Sequence, residues 1–118
     1  MNQSVDLEQL MELGAQAQEA AGLLKVMANE CRLLVLCHLS ASGELSVGQL
    51  ADRIGLSQSA LSQHLARLRE EQLVATRKEA QTVYYRLCNP KAERLLALLH
   101  ELFCPTLGQA GPGPSQGS

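Results

Sequence analysis

Two groups of side chains in this 118-residue sequence could react, ligate or read another molecule. The first is four cysteines, Cys31, Cys37, Cys88 and Cys104. No two form a C-x-x-C pair, which argues against a zinc ribbon or a thioredoxin-type redox motif. In a cytoplasmic chain they are not a disulfide framework either, so they are small buried hydrophobes or regulated thiols. The second group lies in "GLSQSALSQHLARL", Gly55 to Leu68. Its leucines are spaced to bury one side of a helix, while another side carries serines and glutamines in place of the usual Lys and Glu. Hydroxyls and amides close to a helix axis are the groups that bridge to base edges and phosphates in a major groove. No Ser-His-Asp set, phosphate loop or carboxylate cluster can be assembled, and His38 and His100 lack obvious partners, so enzymatic chemistry is not expected.

Those residues must be positioned by a small, mostly helical domain. The length fits one domain and not two. With Phe103, Tyr84 and Tyr85 as its only aromatics, the core has to come from Leu, Val and Ala, a helix-prone composition. No run approaches about 18 apolar residues, so no membrane span is expected. The N-terminus lacks a basic-then-apolar leader, and a cytoplasmic location is expected. Net charge is −2, but its distribution is uneven. Residues 1–22 carry Asp6, Glu8, Glu12 and Glu19 and no Lys or Arg. Residues 53–86 carry Arg53, Arg67, Arg69, Arg77, Lys78 and Arg86 against Glu70, Glu71 and Glu79. That local excess is either a phosphate-facing surface or an ordinary solvated face.

Along the chain, Asp6 can cap a first helix carrying Leu7, Leu10, Met11, Ala17 and Ala21, with an interruption at Gly22. A second helix, "LLKVMANECRLLVLCHL", bends near Asn29 and turns Leu33, Leu36, Cys37 and Leu39 toward a core, and "SASGE" (40–44) reads as a turn. Ser46 with Gln49 has capping-box spacing, opening a short helix with Val47, Leu50, Ala51 and Ile54 inward. Gly55 ends it and Ser57 caps the next, which runs from about Gln58 to Glu71. There Leu61, Leu65 and Leu68 make one buried stripe, and Ser59, Ser62, Gln63 and Arg67 lie on another face. His64 adjoins the stripe as a partly buried structural residue. "LVATRKEAQTVYYRL" alternates and is rich in β-formers, giving strands Leu73–Lys78 and Thr82–Leu87 around a polar tip. Pro90 opens a last helix, apolar around more than half its girth. The tail 105–118 is Gly/Pro/Ser-rich and expected to be disordered.

Two short helices joined by a Gly-containing turn, followed by a basic hairpin, spell a winged helix-turn-helix: mainly α with a β-hairpin wing, in the order four helices, two strands, one helix. In that setting the polar face reads double-stranded DNA. Gln58, Ser59, Ser62 and Gln63 are the direct-readout candidates, and Ser57 and Arg67 the phosphate-positioning ones. In the wing, Arg77 and Lys78 are assigned to phosphate and Gln81 or Thr82 to the minor groove. The apolar last helix calls for a second subunit besides its own core. The rival from another class is a small helical protein-interaction module, which would show no steep salt dependence of DNA binding.

Over about residues 20–104 the combination of "MANE-x-R", "ELSVGQL", "LSQSALSQHL" and "VYYRL" resembles the ArsR/SmtB family of winged-helix repressors. The resemblance implies a homodimer joined through the first and last helices and bound to an inverted repeat. Leu7, Leu10 and Met11 on the first helix, with Leu95, Leu98, Leu99, Leu102 and Phe103 on the last, are the interface candidates.

Metal-sensing relatives carry a Cys-x-Cys pair where this chain has Ser46 and Gly48. Their last-helix ligand set is reduced here to His100 and Glu101. His100 and Cys104, at i and i+4, could hold zinc only with help from another subunit, so no metal site or cofactor is assigned. "RLLVLCHL", "LLHELFCP", "SQSALSQHL" and "RKEAQTVYY" are instead similar to the sulfide- and persulfide-responsive branch of the family, the BigR/SqrR/HlyU-like subgroup. That similarity implies a redox-sensing pair at Cys37 and Cys104, with reactive sulfur species as inducer. Cys31 and Cys88 are then bystanders. A zinc-responsive or inducer-less repressor is the alternative within the family.

Overall fold

Residues 6–104 of the computed structural model form α1 (Leu7–Met27), α2 (Glu30–Ser42), β1 (Glu44–Ser46), α3 (Val47–Ile54), α4 (Gln58–Glu70), β2 (Val74–Glu79), β3 (Thr82–Leu87) and α5 (Pro90–Phe103). The tail expected to be disordered, 105–118, lies outside the described residues. Local side-chain caps set the boundaries, each satisfying backbone N–H groups that a helix start leaves orphaned. The Asp6 carboxylate accepts from Gln9 N–H, Asn29 from Arg32, Ser57 from Ala60, and Asn89 from Lys91 and Ala92. Ser46 and Gln49 close the capping box in both directions. Gly55 ends α3 in the left-handed region, φ +84°, where a side chain would be strained.

Three features depart from the sequence reading. Helix α1 runs straight through Gly22, whose missing side chain costs a helix interior only about 1 kcal/mol. The break comes instead at Ala28–Asn29, so the "MANE-x-R" motif is a corner and not a bend within one helix. Asn29 caps α2, and Arg32 Nε reaches back 2.7 Å to the Val26 carbonyl near the end of α1. Second, "SASGE" is not simply a turn: α2 continues to Ser42, and Glu44 begins a third strand. Third, Cys37 faces solvent in the single chain, and Val35, fully buried, takes the core position expected for it.

The core is aliphatic. Leu36 and Leu39 of α2, Leu50 of α3 and the α4 stripe Leu61, Leu65 and Leu68 are all essentially inaccessible. Val26 and Met27 at the end of α1, Val35, Ala51, Leu45, Leu73, Val74 and, from α5, Ala92 and Leu96 complete it. The sheet order is β1-β3-β2, all antiparallel, with Leu45 opposite Tyr85 and Thr76 opposite the same Tyr85. Alternation therefore turns Leu45, Val74, Tyr85 and Leu87 to the core and Glu44, Arg77, Tyr84 and Arg86 to the outer face. This is a winged helix-turn-helix, with α3–α4 as the helix-turn-helix and β2–β3 as the wing.

Candidate nucleic-acid interface and thiol pair

Burying Leu61, Leu65 and Leu68 fixes the roll of α4 and leaves Ser59, Ser62, Gln63 and Arg67 exposed on its far side. The hydroxyls there are partly committed. Ser57 Oγ accepts the capping bond, and the Ser62 hydroxyl donates 3.0 Å to the Ser59 carbonyl, leaving oxygen lone pairs to meet a base-edge donor. Among the described residues Gln63 makes no hydrogen bond through its side chain, so both halves of its amide face outward. Gln58 leans toward α3: a β-carbon built at Gly48 would lie 3.6 Å from Gln58 Nε2. Arg67 is held loosely by Glu71, 3.6 Å away one turn on, an exposed pair of small energetic value. His64 is half-buried beside the stripe.

The wing presents Lys78, Gln81 and Thr82 to solvent, and Lys78 has no salt-bridge partner among the described residues. Ala80 takes φ +55° at the two-residue tip, a conformation that tight hairpins favour in glycine. Arg77, assigned from sequence to phosphate, is already engaged. Its Nε and Nη2 grip the Glu44 carboxylate at 3.1 and 2.8 Å, Nη1 meets Glu79 at 2.8 Å, and the guanidinium stacks 4.6 Å over the Tyr84 ring. The Arg77 hydrogen bond holds the Glu44 carboxyl below the usual carboxylate range, with Arg86 adding to the effect.

All four cysteines are free thiols. Cys37 lies on the exposed side of α2, and Cys104 follows directly after α5, where its N–H caps the His100 carbonyl. α2 packs on α5, which puts Cys37 and Cys104 within electrostatic reach of one another. Partial desolvation pushes the Cys37 thiol up, and the charge of a Cys104 thiolate pushes it further. Cys31 packs against the core, and burial raises its thiol as well. Cys88 donates to the Gln72 carbonyl at 3.6 Å, away from the pair.

The dimer candidates fall into two sets. Leu7, Leu10 and Met11 of α1 and Leu98, Leu102 and Phe103 of α5 are half to three-quarters exposed, whereas Leu95 and Leu99 are half-buried against their own chain. Leu13 and Leu24 extend the exposed α1 stripe. Among the described residues no three potential metal ligands gather in one place. No helix there is long and apolar enough to cross a membrane.

The stretch from the Asn29 cap into the first wing strand, residues 29–76, matches the profile of the bacterial regulatory protein arsR family. Over 95 residues the chain is 55% identical to the transcriptional activator HlyU of Vibrio cholerae, covering 80% of this chain and 87% of the relative. This chain belongs to the ArsR family. A second ArsR-family relative, the biofilm growth-associated repressor of Agrobacterium fabrum, is 46% identical over 75% of each protein. Reduced HlyU from Vibrio cholerae superimposes with a TM-score of 0.76, covering 79% of this chain and 97% of that one. The protein is therefore a DNA-binding transcriptional regulator of ArsR type, not an enzyme and not a general interaction module.

Proposed function

We propose that the protein acts as a homodimeric repressor that binds an inverted-repeat operator and is released when reactive sulfur species modify Cys37 and Cys104. The observation that supports the sensing half is the electrostatic coupling of these two free thiols, contributed by α2 and the end of the α5 that packs on it. Ser57, Gln58, Ser59, Ser62, Gln63 and Arg67 of each subunit face the major groove. Lys78, with Gln81 or Thr82, follows the backbone and minor groove at the flank. The unpartnered α1 and α5 leucines supply the two-fold interface that matches paired half-sites about one DNA turn apart.

The chemistry balances with a persulfide as donor. One thiolate of the pair attacks the outer sulfur of glutathione persulfide, and glutathione leaves as its thiolate. The new cysteine persulfide is then attacked at its inner sulfur by the partner thiolate, which expels hydrosulfide and closes a Cys37–Cys104 disulfide. Two sulfur transfers before closure leave a trisulfide, again with loss of hydrosulfide. Either link ties α2 to the end of α5, the helix expected at the dimer interface. A shift there respaces the two recognition helices, and half-site recognition is lost. Repression followed by release is the proposed output. Zinc at His100 and Cys104 has weaker support, since a second subunit would have to supply the remaining ligands.

The test is fluorescence-anisotropy binding to an operator selected from a random duplex pool, before and after glutathione persulfide. Cys37→Ser and Cys104→Ser should bind like the wild type and keep binding after treatment. A single variant that still dissociates fully would take that thiol out of the mechanism.

A further inference from the structure

We propose that Arg77 is a positioning residue that clamps the wing to β1 through Glu44, and not one of the protein's phosphate contacts. This deepens the DNA-binding reading above and rests on its wing contact. The geometry spans the whole sheet. Arg77 of β2 pairs with Tyr84 of β3, and Tyr84 pairs in turn with Ser46 of β1, so these residues and Glu44 share the outer face. Two strand spacings, about 9.6 Å, separate β2 from β1. The Arg77 side chain crosses that gap over the Tyr84 ring and ends in a two-bond grip on Glu44. Glu79, two residues along the same face, takes the remaining nitrogen. Each of the three guanidinium nitrogens thus makes one bond within the protein, with two carboxylates around one cation.

The arrangement does what a strut needs. Hairpins held only at their base pivot, and the wing's base is fixed by Val74 and Leu87 at the core edge. The Arg77–Glu44 pair adds a second anchor three residues further out. Its other end is β1, which joins α2 to α3, so the wing is registered against the helix-turn-helix that carries the base-reading face. Planar, two-point recognition of a carboxylate is a property of Arg that Lys does not share.

The two roles separate in salt dependence. Removing one phosphate-binding cation reduces the slope of log K against log salt by about 0.9, and in a dimer each substitution removes two. The experiment titrates full-length wild type, Arg77→Gln, Glu44→Gln, the double variant and Lys78→Ala against one duplex selected by the wild type, over a range of salt. The strut predicts that Arg77→Gln and Glu44→Gln both weaken binding, that combining them adds little, and that the double variant, which removes both charges, keeps the wild-type slope. Lys78→Ala, removing a phosphate ligand, should flatten it. Wild-type affinity in Arg77→Gln, tighter binding in Glu44→Gln or a flattened slope in the double variant would overturn the assignment. Silent strut variants beside an effective Lys78→Ala would remove the strut alone, and a silent Lys78→Ala would remove the wing contact and the strut with it.

Discussion

The unit from α2 to β3 and the flanks formed by α1 and α5 are built to different standards. In the central unit the α4 leucines are buried to near zero exposure and the wing is bonded across three strands. In the flanks, Leu7, Met11, Leu13, Leu102 and Phe103 are each more than 60% exposed. Among the described residues, the polar ties from α1 to the rest are Lys91–Glu19 and the Arg32–Val26 bond. An open groove of about 1600 Å³ separates α1 from the start of α5, with Leu23, Leu24, Leu95 and Leu98 on its walls. The contrast teaches that one chain completes the reading head but not the frame that holds it. Apolar flanks of this extent fit the dimer proposed above, which scattered single leucines would not.

That contrast can be broken first in the flanks. Leu102→Glu combined with Phe103→Glu should leave the monomer folded and shift sedimentation from dimer to monomer. Operator affinity should then fall by about 100- to 10,000-fold, as the second half-site ceases to be an intramolecular encounter. An unaltered dimer would place the interface elsewhere. In the central unit the corresponding break is Leu65→Ala, which should cost about 2–5 kcal/mol of stability in chemical denaturation, through reduced transfer energy and a cavity. A cost below about 1 kcal/mol would contradict the core described above.

Smaller effects sharpen the comparison. Gln63→Ala should weaken specific binding by about 1–3 kcal/mol while sparing the melting temperature, because its amide faces outward. Unchanged affinity for the selected operator would count against direct readout. Ser57→Ala should cost about 1 kcal/mol of stability by removing the cap, and calorimetry would register it. The subtlest expectation concerns Cys37. Its thiol titrates above the ordinary range, so its alkylation rate should keep climbing with pH after an ordinary cysteine has levelled off. Removing the opposing charge in Cys104→Ser should lower that titration and increase the thiolate fraction at neutral pH. A pH–rate profile for Cys37 that is identical in the two proteins would show that the thiols do not sense one another.

Much of the central unit is legible in the sequence because its signals are local. Caps act within three residues, the α4 stripe repeats every turn, and the wing alternates with a polar tip, so each can be read from a short window. What escapes depends on distant partners. Strand β1 is three residues long and exists because β3, some forty residues later, has a free edge to fill. The Arg77–Glu44 pair is not visible in sequence because its members lie 33 residues apart. Gly22 suggests a break that the flanking alanines and leucines override, and the real corner rests on an Asn and an Arg that secure two helices at once. Cys37 reads as inward because Leu36 and Leu39 beside it are; a single residue of helical phase separates a core position from an exposed thiol.

The central claim, that the exposed Cys37 and the half-buried Cys104 act as one sensing unit, is tested most directly by an intact mass and peptide map of the reduced full-length protein after exposure to glutathione persulfide. The account predicts a Cys37–Cys104 linked peptide, as a disulfide or carrying an extra sulfur, with Cys31 and Cys88 still reduced. Unlinked Cys37 and Cys104, or a link through Cys31 or Cys88 instead, would contradict it.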